Sequence, residues 1–131
     1  HEDPHSLWSC PLSTRKFQKA SNEELVQWYA EGSVAYGKAL EAADSRSANR
    51  AADKISGAYR ELRSRDATSQ LLPLLQNENE TVRTNVAAHA LEFAPEFGEP
   101  VLLWVSKRPG RNGLAAEYAL KAWREGTLNF P

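Results

Sequence analysis

Apolar residues recur along this chain at steps of three and four. Leu25, Trp28, Tyr29, Gly32, Tyr36, Ala39, Leu40 and Ala43 mark one face of a helix over about residues 22–43. Ser21 and Glu24 have the spacing of a capping box at its start. After a break at 44–47, Ala48, Ala51, Ala52, Ile55, Ala58, Tyr59 and Leu62 trace a second stripe. A third segment starts near Asp66, an expected N-cap, and carries Leu71, Leu72, Leu74 and Leu75, with a kink expected at Pro73. The fourth begins at Asn79 or Glu80 and places Val82, Val86, Ala90 and Phe93 on one side. A fifth spans about 95–107. Asn112 is the expected cap of a sixth, which carries Ala115, Tyr118, Ala119, Ala122 and Trp123, with Gly126 placed to terminate it. Six helices joined by short loops predict antiparallel neighbours and an all-α class.

Residues 1–20 read differently. Pro4 and Pro11 interrupt them and no helical period is visible, so they are expected to form an irregular arm ahead of a helical domain over 21–131. The arm lacks a Met and a leader-like apolar region, and its first residues read as native or vector-derived. Trp8 is the residue expected to pin it. His1, Asp3, His5 and Cys10 match no closed metal-site spacing, so no metal is expected.

A shift of 29 positions brings Leu72, Leu74 and Leu75 onto Val101, Leu103 and Trp104. The same shift brings Ala87, His89, Ala90 and Leu91 onto Ala116, Tyr118, Ala119 and Leu120. One offset relating two successive helix pairs is the mark of stacked hairpins. The run Leu71-Leu72-Pro73-Leu74-Leu75-Gln76-Asn77-Glu78-Asn79-Glu80-Thr81-Val82-Arg83, followed by Val86-Ala87-Ala88-His89-Ala90-Leu91, resembles a HEAT repeat. The span 24–128 further resembles a small bacterial family with HEAT-like repeats, domain of unknown function twenty-nineteen. The similarity rests on Ala48-Asn49-Arg50-Ala51-Ala52-Asp53, Glu61-Leu62-Arg63, Leu74-Leu75, Val82-Arg83 and Ala122-Trp123-Arg124-Glu125-Gly126. The resemblance implies a short α-solenoid of about three antiparallel hairpins and brings no catalytic residues. The sixth helix departs from it, with Leu114-Ala115 where a Val-Arg pair would stand.

Composition adds limits. The chain has 41% apolar and 25% charged residues, within the range of globular proteins. It has 16 Lys and Arg against 17 Asp and Glu, which disfavours holding nucleic acid by bulk charge. A single cysteine excludes an internal disulfide framework. No apolar run suits a membrane helix, so a soluble, cytoplasmic protein is expected. Nucleotide-binding, zinc-protease and serine-hydrolase motifs are absent, and the expectation is a non-enzyme without cofactors. Charge is segregated. Residues 46–65 carry six basic and two acidic side chains, and residues 77–100 carry five acidic ones and Arg83. Arg83 is expected to tie hairpins through a carboxylate or carbonyl, and Asp53 to pair with Arg50 or Lys54 within its helix.

A solenoid presents the second helix of each hairpin on one concave face. Removing core positions leaves Arg50, Asp53 and Lys54; Asn85, His89 and Glu92; and Glu117, Tyr118, Lys121 and Arg124 as candidate partner-binding residues. That mixture suits docking of another protein, as an adaptor or an immunity protein. Two other classes remain open: nucleic-acid binding by the basic second helix, and a small-molecule pocket lined by Trp28, Tyr29, Trp104 and Trp123.

Overall fold

The structure is a computed structural model that describes residues 15–131, and among them every regular element is helical. Helix α1 spans Asn22–Glu41, α2 Ser45–Ser64, α3 Glu80–Phe93, α4 Pro95–Ser106 and α5 Arg111–Arg124; a 3₁₀ helix covers Thr68–Gln76. Residues 15–19, expected to be irregular, form one further helical turn. The reason is packing: Phe17 meets Trp28 edge-on at 5.8 Å, and Ala20 is buried. Trp8 and the His1, Asp3, His5 and Cys10 set lie outside the described residues.

The caps explain most boundaries. The Ser21 hydroxyl accepts from the Glu24 amide at 3.1 Å, and the Glu24 carboxylate accepts from the Ser21 amide at 2.9 Å. Asp44 caps α2 by accepting from the Ser47 amide, and Asn79 caps α3 by accepting from the Val82 amide. Three helices end alike. After α1, α2 and α5 a residue with positive φ (Ala43 at 56°, Asp66 at 56°, Gly126 at 76°) turns the chain. The next amide then donates back into the helix: Asp44 to Ala39, Ala67 to Leu62 and Thr127 to Ala122, each at 2.8 Å. Asp66 is therefore a terminator of α2, not the expected cap of the next segment.

Two further expectations differ. The segment after Asp66 is 3₁₀ rather than a kinked α-helix. Pro73 has no amide to give, and its ring would clash with the carbonyl four residues back in an α-helix. Helix α5 starts at Gly110 (φ 92°) without a side-chain cap. Asn112 instead turns to α3, donating to Glu80 and to the Thr81 hydroxyl, both at 3.3 Å.

α1 packs along α2, the 3₁₀ helix packs on α3, and α4 and α5 pack on each other and on α3. Two apolar cores result. The first gathers Leu25, Tyr29, Ile55, Tyr59, Leu62, Leu71 and Val86; the second gathers Ala87, Leu91, Leu102, Val105, Ala116 and Leu120. Leu75 touches both. The 29-residue shift keeps its core half, since Ala87 and Ala116, Ala90 and Ala119, and Leu91 and Leu120 are all buried. It fails elsewhere: His89 is half-buried while Tyr118 is exposed.

An L-residue in the left-handed region is strained by about 1–2 kcal/mol. Ala43→Gly is therefore expected to stabilise the chain by about 1 kcal/mol, and Gly126→Ala to destabilise it by a similar amount. Chemical denaturation of the two variants measures both.

Candidate functional site

α1 and α3 run against each other in a fixed register. Tyr29 meets His89, Ser33 meets Asn85 and Gly37 meets Thr81, one turn apart each time. The Tyr29 hydroxyl lies 2.5 Å from His89 Nδ1, and the Asn85 side chain donates to the Ser33 hydroxyl at 3.0 Å. At the third level a Cβ on Gly37 would stand 2.7 Å from Thr81 Oγ1, so glycine sets the approach.

His89 then joins the seam to α2. Tyr59 stacks on the imidazole with centroids 3.9 Å apart at 22°, and Phe130 covers it at 4.4 Å. The Tyr59 hydroxyl donates to Glu92. Arg63 donates to Glu92 at 3.2 Å, to the Phe130 carbonyl at 3.1 Å and to the Pro131 carbonyl. Burial lowers the His89 pKa to about 3, so the ring is neutral at ordinary pH. Burial also holds the Tyr29 phenol well above its usual range, with Tyr59 adding to the effect; Tyr59 is raised by burial and by its bond to Glu92. Tyr59 and Phe130 thus pack against a neutral imidazole.

The ten predicted residues do not form one face. His89 and Glu92 meet in this cluster. Glu117, Lys121 and Arg124 meet in a groove of about 340 Å³ between α4 and α5, floored by Leu103 and Leu120. Asn85 lines a different cavity of about 570 Å³ with Tyr36, Thr81 and Arg111. Arg50 is exposed and donates to Ser47, Asp53 is exposed, and Lys54 pairs with Glu31 of α1 at 3.1 Å rather than within its own helix. Tyr118 stands 73% exposed on α5. Arg83 grips the Asn77 and Glu78 carbonyls of its own turn, at 2.7 and 3.0 Å, and lies over Trp104 of α4. Trp28, Tyr29, Trp104 and Trp123 line neither cavity: Tyr29 is buried, Trp28 and Trp123 pack at the core edges, and Trp104 is exposed. Among the described residues, no three His, Cys, Asp or Glu side chains group as metal ligands, and no helix is long and apolar enough to cross a membrane.

The sequence reading chose Tyr118 as a contact residue and Trp104 as a pocket-lining one, but passed over Phe97, Leu103 and Leu114. Phe97, Leu103, Trp104, Leu114 and Tyr118 are the large apolar side chains that stay exposed among the described residues, and all lie on α4 or α5. Phe97 and Trp104 flank half-buried Val101 at steps of four and three, and Leu114 and Tyr118 are four apart. Arg83 and Arg108 lie over the Trp104 ring, 5.8 and 4.9 Å from its centroid. The available signal at Leu114 was its place off the Ala119 and Ala122 stripe of its helix.

The neutral buried histidine couples folding to pH. Between about pH 6.5 and 3 the unfolded chain binds a proton at His89 that the folded chain refuses, so stability falls as pH drops, by at most about 1.4 kcal/mol per unit. The window from about 6.5 to 5.5 precedes the titration of ordinary carboxylates. There, His89→Gln should flatten the fall that the parent chain shows in thermal unfolding. Tyr29→Phe removes the hydroxyl beside Nδ1 and should cost about 1–3 kcal/mol in chemical denaturation.

Comparison with known proteins places this fold. No curated protein matches the chain. The solved crystal structure of the protein RPA1889 from Rhodopseudomonas palustris CGA009 superposes with a TM-score of 0.80 at 23% identity, covering 86% of this chain and 95% of that one; the likeness shows a shared fold. The family described as Domain of unknown function (DUF2019) matches residues 23–119, from the first turn of α1 to the third turn of α5. With most of its length matched, the chain belongs to the DUF2019 family.

Proposed function

We propose that this chain is a non-catalytic docking domain that binds another protein through α4 and α5, arranged as a short HEAT-like solenoid of three hairpins. One observation carries the reading: the five large apolar side chains left exposed among the described residues are confined to the last two helices. Exposed Trp, Tyr and Phe next to arginine are the residue types that anchor protein interfaces. Trp104 between Arg83 and Arg108 offers a broad apolar surface with charged edges. The Leu103–Leu120 groove, rimmed by Glu117, Lys121 and Arg124, adds a concave element beside Leu114 and Tyr118. An adaptor or immunity role in a bacterial cell would use this face.

The basic second helix adds little to a phosphate-binding reading. Lys54, Arg63 and Arg65 are engaged by Glu31, Glu92 and Glu61, and Arg65 also donates to the Phe17 and Gln18 carbonyls. Half of the six basic side chains over residues 46–65 are thus paired within the chain, which lowers the charge left for phosphates.

The test is cross-linking in the source cell from a chain carrying Leu114→Asp and Tyr118→Ser, with Arg50→Ala as control. Both substitutions are at exposed sites and should leave stability within about 0.5 kcal/mol. A partner captured by the parent and the control, and lost about tenfold or more with the α5 variant, is the expected result. Equal capture by all three chains, or capture of no protein, overturns the proposal.

A further inference from the structure

The cavity of about 570 Å³ lies where α1 and the start of α5 both meet α3. Thr81 and Asn85, one turn apart, are its α3 side; Tyr36 and Leu40 come from α1, and Arg111 and Ala115 from α5. Both walls are fixed to α3. The close approach of Gly37 to Thr81 sets α1, and Asn112 ties the first turn of α5 to Glu80 and Thr81. The Tyr36 ring is packed against the first core. A preformed concavity of this size, with apolar walls and a few convergent polar groups, suits a small molecule. Three charged side chains line it. Glu80 is engaged at both carboxylate oxygens, one by Arg108 and the other by Asn112. Glu41, at the end of α1, and Arg111, at the start of α5, have no ion-pair partner among the described residues. Asn85 spends its amide nitrogen on Ser33, which leaves its carbonyl oxygen and the Tyr36 hydroxyl to the cavity. No buried side-chain oxygen lacks a partner among the described residues, so these two are open to solvent.

We propose that this cavity binds a small zwitterion of the dipeptide class, with its carboxylate on Arg111 and its ammonium on Glu41. The two protein charges stand on different walls, one on α5 and one on α1. A purely anionic ligand would meet Glu41 and Glu80, and a purely cationic one would meet Arg111. A ligand with both charges pairs with each wall and leaves no like charges facing. The dimensions select among zwitterions. A sphere of the cavity's volume is about 10 Å across. A single amino acid carries both charges on one carbon and leaves one wall unmet, whereas an extended dipeptide spans about 7 Å. A charged hydrogen bond of about 2.8 Å at an end completes the reach. The peptide N–H between the two residues donates to the Asn85 carbonyl, and the peptide carbonyl accepts from the Tyr36 hydroxyl. Leu40, Pro109 and Ala115 give apolar support to the side chains. None of the five exposed apolar side chains of α4 and α5 lines this cavity, so the site stands whether or not that face binds a partner.

The experiment titrates the full chain, by calorimetry, with unmodified dipeptides that place Ala, Leu, Phe, Ser, Lys and Glu in either position. At least one should bind with a Kd below about 1 mM. Acetylating its amine or amidating its carboxylate should each weaken binding about tenfold or more. Arg111→Ala should bind the acid about tenfold more weakly and no longer distinguish it from the amide. Glu41→Gln should no longer distinguish the free amine from the acetylated one. Both positions are exposed, so both variants should unfold at the parent's temperature. Ala115→Trp, also at an exposed position, should fill the cavity and abolish binding; should that variant not fold, the two charge variants decide alone. Leu114→Asp with Tyr118→Ser should leave dipeptide binding unchanged, which separates this site from the α4–α5 face. Failure of every dipeptide to bind, or equal affinity for free and blocked ends, overturns the inference. Tighter binding by single amino acids or by dicarboxylates overturns it too.

Discussion

Helix α3 is the shared wall between the two apolar cores, and the rest of the chain is arranged around that fact. Val86 faces one core while Ala87 and Leu91 face the other. Burial on both sides leaves little of α3 for solvent, and its small residues let neighbours come close. On the α4 side a Cβ on Gly98 would stand 2.5 Å from the Ala87 carbonyl, so glycine is what permits that approach. On the α1 side the contact is polar. Tyr29 with His89 and Ser33 with Asn85 set the register, because a slip of one turn would unpair both levels together.

That arrangement decides which side chains stay at the surface. α3 lends its outer edge, through His89 and Glu92, to a cluster shared with Tyr59 and Arg63 of α2. α4 and α5 cover the second core from one side and turn Phe97, Trp104, Leu114 and Tyr118 outward. The polar groups of the interior stay satisfied throughout: among the described residues no buried side-chain nitrogen or oxygen lacks a hydrogen-bond partner. Exposure of apolar residues at one end is thus not a sign of loose packing elsewhere.

Much of the helical framework was legible in the sequence, because three- and four-residue spacing and the Ser21–Glu24 and Asn79 caps are local signals. Local signals also misled. Asp66 looks like a cap but terminates α2 with positive φ, and Asn112 looks like a cap but reaches across to Thr81. The site was less legible because it is made by distant residues. Pairing of position 29 with 89, or of 63 with 92 and 130, follows from how helices cross, which periodicity within one helix cannot report. Treating His89 and Tyr118 as equivalent assumed that both hairpins face the same neighbours. Only the first is met by α2 and the returning tail, and that places His89 among aromatic rings and leaves Tyr118 exposed.

The 3₁₀ geometry around Pro73 has a consequence for dimensions. Rising about 2.0 Å per residue, the nine residues of Thr68–Gln76 cover about 18 Å. The twelve residues of α4, at about 1.5 Å each, cover the same length. The narrower winding lets a segment three residues shorter span as far as an ordinary α-helix. Rewound as α-helix, those nine residues would be about 4–5 Å too short, and Leu75 could no longer reach both hydrophobic clusters at once.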